Sequence, residues 1–180
     1  MTIIFLNGCT SAGKSSLAQQ LQSQLNTPYL LTGIDDALRM IPFRYHNSNA
    51  GFRFITNTKG LVQLSFGSFG KATLYAHQVS SAAIGRNGTN LILDEVVLNE
   101  QLQLDWNSLL SDIDVFFVGV HCDLEELERR ELERGDRMIG QARGQYQSVH
   151  QGMVYDYEVD TTHTSPEDAA SSIIAQRVEW

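Results

Sequence analysis

The eight residues Gly8-Cys9-Thr10-Ser11-Ala12-Gly13-Lys14-Ser15 constrain this chain more than any other stretch. They follow an apolar run, Ile3-Ile4-Phe5-Leu6, and lead into a pattern that sets Leu17, Ala18, Leu21 and Leu25 on one helical face. Two glycines, a lysine and a serine thus stand where a strand gives way to a helix, the arrangement of a phosphate-binding loop. Glycines let the backbone curl round an anion with successive N–H groups turned inward, and the helix N-terminus adds partial positive charge. In this reading Gly8, Ser11, Ala12, Gly13, Lys14, Ser15 and Ser16 hold a nucleoside triphosphate, ATP. Lys14 reaches its β- and γ-phosphates, and the Ser15 hydroxyl completes the coordination of Mg²⁺. A Gly-rich turn beside an ordinary surface lysine is the plainer alternative. The strand before it and the amphipathic helix after it favour the phosphate loop.

A length of 180 residues suits one domain, residues 1–180, with room for a real core. The apolar fraction is 42%, but no uninterrupted apolar run approaches the length of a membrane span, so no membrane partner is expected. Met1-Thr2-Ile3-Ile4 enters a strand without a basic region, unlike a signal peptide. Cys9 and Cys122 read as isolated reduced thiols, which fits a cytoplasmic protein. Cys9 stands where a helix N-terminus lowers a thiol pKa, yet phosphoryl transfer needs no thiol, and a loop filler is the simpler role. The net charge is −8, and the basic residues cluster only in 129–137, among acidic neighbours. A nucleic-acid partner is therefore not expected, and a small molecule is. The five histidines have no metal-ligand spacing.

Short apolar runs alternate with helical stretches. Strands are expected at Ile3–Leu6, Tyr29–Thr32, Asn90–Leu93, Val115–Val120 and Val154–Val159. Helices are expected over Ala37–Ile41, stopped by Pro42, then along a face of Tyr75, Val79, Ala82 and Ala83 that ends at Arg86-Asn87-Gly88. Further helices are expected over Glu100–Leu110 and Leu124–Arg134, the latter closed by Gly135, with Met138–Val149 interrupted by Gly140 and Gly144. Ser165-Pro166-Glu167-Asp168 opens a last helix with Ala170, Ile174 and Val178 in register. Residues 43–69 break this rhythm. Phe52–Ile55 and Leu61–Leu64 flank Asn57-Thr58-Lys59-Gly60 and read as a hairpin inside an irregular insertion. Strand–helix alternation with a phosphate loop after the first strand argues for an α/β fold, a three-layer doubly wound parallel sheet.

Four sets of residues carry candidate chemistry. Asp94 ends an apolar strand, as a Walker B carboxylate does, and would hold Mg²⁺ with Ser15; Glu95 is the lesser candidate, and a turn carboxylate the plain alternative. Asp35 follows the second strand, and a carboxylate there can take the proton of an attacking alcohol. It can equally cap the next helix, a task Asp36 can also fill. Arg130, Arg134 and Arg137 form a candidate lid that brings positive charge to the triphosphate. The alternative is a solvated charged helix with pairs such as Glu126–Arg130. Phe43, Phe52, Phe54, Phe66 and Phe69 form either a satellite core or the wall of an acceptor pocket.

The chain resembles the chloramphenicol phosphotransferases and the small P-loop kinases related to them, over nearly its whole length. The resemblance rests on Leu6-Asn7-Gly8 through Gly13-Lys14-Ser15, on Gly33-Ile34-Asp35 with Pro42, and on Ile92-Leu93-Asp94. It continues through Val118-Gly119-Val120 with Cys122-Asp123, through Arg134-Gly135-Asp136-Arg137, and through Tyr155-Asp156 with Glu158-Val159-Asp160-Thr161-Thr162. It implies a P-loop NTPase fold of kinase type with five strands in the order 2-3-1-4-5 and a lid. It also implies ATP-dependent phosphorylation of the primary hydroxyl of chloramphenicol, which inactivates the antibiotic. Asp35 then matches the general base, Lys14 and Ser15 the phosphate and magnesium residues, and Arg134 and Arg137 the catalytic lid. The segment 43–69, where the family builds its acceptor pocket, does not match. A metabolic kinase of shikimate, gluconate or adenylylsulfate type is therefore the nearest competing reading. A nucleotide-dependent switch or toxin-like P-loop protein is the competitor from another class.

Overall fold

The computed structural model describes residues 2–135 and 138–177. In chain order the strands are β1 (Ile3–Asn7), β2 (Leu30–Gly33), β3 (Phe52–Thr56), β4 (Val62–Phe66), β5 (Leu91–Glu95), β6 (Val115–His121) and β7 (Tyr157–Asp160). The helices are α1 (Lys14–Gln24), α2 (Ile34–Met40), α3 (Ser68–Arg86), α4 (Glu100–Leu109), α5 (Leu124–Arg134), α6 (Gln141–Tyr146) and α7 (Pro166–Ile174). Five strands form one sheet in the order β2-β5-β1-β6-β7, and every pairing is parallel. Counted in chain order without the hairpin, this is 2-3-1-4-5, as the resemblance implied. The hairpin β3–β4 is a separate antiparallel pair within the insertion.

The central strand shows why an unbroken apolar run was needed. Ile4 and Leu6 pack with Leu17 and Leu21 of α1 and with Ala170 and Ile173 of α7. Ile3 and Phe5, one residue out of phase, pack with Ala82 of α3 and Trp106 of α4. Phe5 meets the Trp106 ring edge-on at 5.2 Å. Both faces of the sheet are thus covered by helices, and each large buried side chain contributes about 1.5–3 kcal/mol.

One helix turns a different face inward from the one its apolar residues predict. In α3, Tyr75 and Val79 are exposed, while Leu74, His77, Gln78, Ser81, Ala82 and Gly85 are buried. Apolar periodicity missed this face because three of its members are polar. In α7 the expected face is inward, with Ala170 buried beside Ala169 and Ile173, and Ile174 packed against the core, while Val178 lies outside the described residues. The boundary signals fared better. Ser165 accepts the Asp168 N–H at 3.1 Å, Pro166 sits in the first turn, and Gly135 ends α5 at φ 67.

The polar helix α5 is anchored by one buried carboxylate. Glu131, 1% exposed, accepts the N–H groups of Gly140 at 2.7 Å and Ala142 at 2.8 Å. It thereby satisfies two orphan donors at the start of α6, next to the partial positive charge of that helix end. Glu131→Ala should lower stability by about 2–4 kcal/mol, because both N–H groups lose a charged acceptor. A urea midpoint that falls with an unchanged slope is the expected result; an unchanged midpoint means that the two bonds contribute nothing.

Candidate active site

The sheet register brings three strand ends together. Asp94 of β5 lies beside Leu6 of β1 on one side and Gly33 of β2 on the other. The strands meet so closely that a Cβ on Gly33 would stand 2.1 Å from the Asp94 carbonyl oxygen. At the end of β1 the chain turns through residues 8–13. Ser11 takes φ 63 and Gly13 φ 82, the left-handed region, which turns successive N–H groups into a concavity suited to an anion. The Ser11 hydroxyl is buried without a hydrogen-bond partner among the described residues. Gly8 and Ala12 shape the loop from behind rather than line its mouth: a Cβ on Gly8 would meet the Val120 carbonyl at 2.3 Å, and the Ala12 carbonyl accepts Thr161 Oγ1 at 2.8 Å.

Lys14 is 6% exposed, and its Nζ donates to the carbonyls of Gly8 at 3.0 Å and Cys9 at 2.9 Å. It also stands 3.8 Å from Asp94 Oδ1. Ser15 Oγ donates to Asp94 Oδ2 at 2.6 Å. A hydroxyl and a carboxylate thus converge beside the loop, the hard oxygen donors that Mg²⁺ prefers, so these residues fit that ion. Glu95 does not join them, because adjacent strand residues point to opposite faces. It is buried beneath the sheet, and that burial, reinforced by Asp94, raises its carboxyl well above the usual range. Burial likewise pushes the Cys9 thiol up to about 11, which leaves it the loop filler expected of it.

The ambiguity between Asp35 and Asp36 is resolved by geometry. Gly33 is the N-cap of α2, and Asp36, at the third helical position, accepts the Gly33 N–H at 3.1 Å and the Thr32 hydroxyl at 3.0 Å. Capping therefore falls to Asp36. Asp35 lines a cleft of about 360 Å³, together with Lys14, Ser15, Ser16 and Asp94.

The arginines divide. Arg134, at the end of α5, lines the same cleft. Arg130 is braced between elements: its Nη2 donates to the Thr161 carbonyl at 2.6 Å and its Nε to Glu126 at 2.7 Å, with Nη1 at 3.7 Å from where a Gly13 Cβ would lie. It stands over the loop's last glycine. Arg129 makes the surface pairs expected of a solvated face, with Glu126 and Glu133. Arg137 lies outside the described residues.

The insertion supplies the opposite wall. Phe54 and Leu64 of the hairpin line the cleft with Leu31, Leu38, Val96 and Leu98. Phe66 packs instead with Ile34, Ala37 and Leu74, Phe52 is buried, and Phe43 is 87% exposed. The aromatic cluster is thus part pocket wall and part satellite core. The role of α6 had no signal in the sequence. Val62 N donates to the Gly140 carbonyl at 3.0 Å, and a Cβ on Gly144 would meet the Val62 carbonyl at 2.2 Å. Gln145 Oε1 accepts the Thr10 N–H at 2.8 Å. The two glycines that looked like helix interruptions are the platform on which the hairpin sits. Gln141 and Gln145 complete the cleft.

Comparison with known proteins agrees with this geometry. The chloramphenicol phosphotransferase-like protein family matches residues 1–179. A Mycobacterium tuberculosis protein whose name proposes an O-phosphotransferase, found in two strains, is 33% identical over 186 aligned positions that span 95% of this chain and 80% of that protein. The structure of the APS kinase of Mycobacterium tuberculosis has a TM-score of 0.66 at 14% identity, covering 97% of this chain and 95% of that one. The shikimate kinase of Aquifex aeolicus has a TM-score of 0.56 at 15% identity, covering 97% and 94%. These two likenesses concern the fold. From the match along its length and the identity to its relatives, the chain belongs to the chloramphenicol phosphotransferase-like family.

Proposed function

We propose that this chain transfers the γ-phosphoryl group of ATP to a hydroxyl of a small molecule, with the primary hydroxyl of chloramphenicol as the first acceptor to test. The observation that carries the reading is the convergence of Lys14, Ser15, Asp94 and Asp35 on one cleft. The loop N–H groups and Lys14 orient the triphosphate at the helix N-terminus. Ser15 and Asp94 would hold Mg²⁺, which supplies charge neutralisation to the phosphates. Asp35 accepts the proton of the acceptor hydroxyl as its oxygen bonds to the γ-phosphorus, and the bond from that phosphorus to the bridging oxygen of ADP breaks. Arg134, with Arg137, offsets the charge that spreads over the transferring group. Gly8, Ser11, Ala12, Gly13, Ser16 and Arg130 belong to the nucleotide side. The described helices include none long and apolar enough to cross a membrane, and both cysteines are buried free thiols, which supports a reducing cytoplasmic setting.

Two features weigh on the competing readings. The apolar wall of Phe54, Leu64, Val96 and Leu98 suits an acceptor with an apolar body, whereas gluconate- or adenylylsulfate-like acceptors are charged. The acid at Asp35, beyond the one at Asp94, argues against a nucleotide switch, which needs no acceptor base.

Transfer from γ-labelled ATP to chloramphenicol, read as product mass, tests the acceptor. A phosphate monoester is expected. If none forms, ADP release across a panel of alcohols identifies the acceptor class, and slow ATP turnover indifferent to every alcohol but altered by a protein partner points to a switch. Asp35→Asn should lower kcat by about 10²–10⁴ with nucleotide affinity nearly unchanged, and normal turnover in that variant removes Asp35 from the mechanism. Lys14→Met should abolish transfer while the melting temperature stays close to that of the parent. Collapse of the fold instead assigns Lys14 a structural role.

A further inference from the structure

Behind Asp35 runs a polar chain that the transfer step does not use. His77, on α3, is 5% exposed and meets the Trp106 ring edge-on at 6.3 Å. Its Nε2 lies 3.2 Å from Thr32 Oγ1. Thr32 Oγ1 donates in turn to Asp36 Oδ2, the oxygen that also accepts the Gly33 N–H, while Asp36 Oδ1 pairs with Arg39. A carboxylate only accepts, so the Thr32 proton is committed to Asp36 and the hydroxyl is left to accept from His77. His77 therefore carries its proton on Nε2. Burial lowers its pKa, and Nδ1 lies 3.8 Å from Glu95 Oε1, a carboxyl that burial in turn raises toward its protonated form. The chain from α3 through β2 to α2 has one direction, every donor pointing toward Asp36.

This direction matters because α2 has only seven residues, too few to be stable without outside anchors. Its first turn carries Asp35, and Asp36 ties that turn to the Gly33 N–H. Of the side chains that hold Asp36, Arg39 is 73% exposed and screened by solvent, whereas the link through Thr32 ends on a buried ring. We infer that Thr32 and His77 are positioning residues for phosphoryl transfer, acting through Asp36 to hold the first turn of α2 where Asp35 meets the acceptor hydroxyl. The inference rests on the reading of Asp35 as the base. Neither residue takes a proton in the reaction.

The test compares the parent enzyme with Thr32→Val, Thr32→Ser, Asp35→Asn and the double variant Asp35→Asn/Thr32→Val. ADP release is followed with MgATP and chloramphenicol, and with MgATP and water as the only acceptor. Thr32→Val keeps nearly the same volume and removes the hydroxyl, so it should fold. It should lower kcat by about 10–100-fold and leave the KM for ATP nearly unchanged, the signature of a base held slightly out of place. Thr32→Ser restores the hydroxyl and most of the rate, and His77→Leu should follow Thr32→Val. The double variant should be no slower than Asp35→Asn alone, because the two changes act through one group. The proposal is overturned if Thr32→Val keeps the parent kcat while Asp35→Asn is inactive, if Thr32→Ser is as slow as Thr32→Val, or if only the melting temperature falls. Normal turnover in Asp35→Asn, or no ADP release from the parent with chloramphenicol, water or any alcohol of the panel, removes the catalytic reading itself and the positioning role with it.

Discussion

Parallel pairing of β1 between β5 and β6 is the constraint on which the rest of the molecule depends. Parallel strands cannot be joined by tight turns, so each must be followed by a crossover, and the crossovers cover both faces of the sheet. The same geometry delivers all five strand ends to one edge. The phosphate loop leaves β1, Asp94 ends β5, and α2 with Asp35 leaves β2. The register Leu6–Asp94–Gly33 then puts two acids and a lysine within one cleft. No surface loop placed them there; they are where a parallel sheet has to put them.

The cleft has two unequal sides. The nucleotide side is built of backbone, a loop whose φ values at Ser11 and Gly13 direct N–H groups inward, and it needs few side chains for recognition. The opposite wall, proposed to receive the acceptor, includes side chains carried by an insertion that is not part of the sheet. That insertion is held by α6, through Val62 N on the Gly140 carbonyl, and α6 is held by Glu131 and bonded to the phosphate loop through Gln145. The hairpin, α5 and the loop after β1 are therefore tied through one six-residue helix.

Buried polar groups mark where the fold is specified rather than merely packed. Asn7, at the last position of β1, donates to the Val149 carbonyl at 2.8 Å and to Tyr155 Oη at 2.7 Å, and accepts the Val97 N–H at 2.9 Å. One amide thus joins the segments after β5 and α6 to the start of the phosphate loop. His77 performs a similar task where α3 meets the end of β2. Such groups are costly to bury unless their partners are in place, so each admits one arrangement of its neighbours.

The sequence by itself determined the strand–loop–helix core on which the proposed donor site stands. Gly8–Ser15 between an apolar run and an amphipathic helix, Asp94 at a strand end, Gly135 and Ser165-Pro166 at helix ends, and the hairpin around 57–60 are local signals, legible because backbone conformation and strand alternation depend on near neighbours. Only the structure decided between Asp35 and Asp36 as the cap of α2: Asp36 accepts the Gly33 N–H and the Thr32 hydroxyl, which in turn meets the His77 ring of α3. It also turned α3 onto a face containing His77, Gln78 and Ser81, and made Gly140 and Gly144 a docking platform. The last two outcomes depend on partners far along the chain, such as Val62 for Gly144 and Thr32 for His77, and no period of 2 or 3.6 residues carries that information.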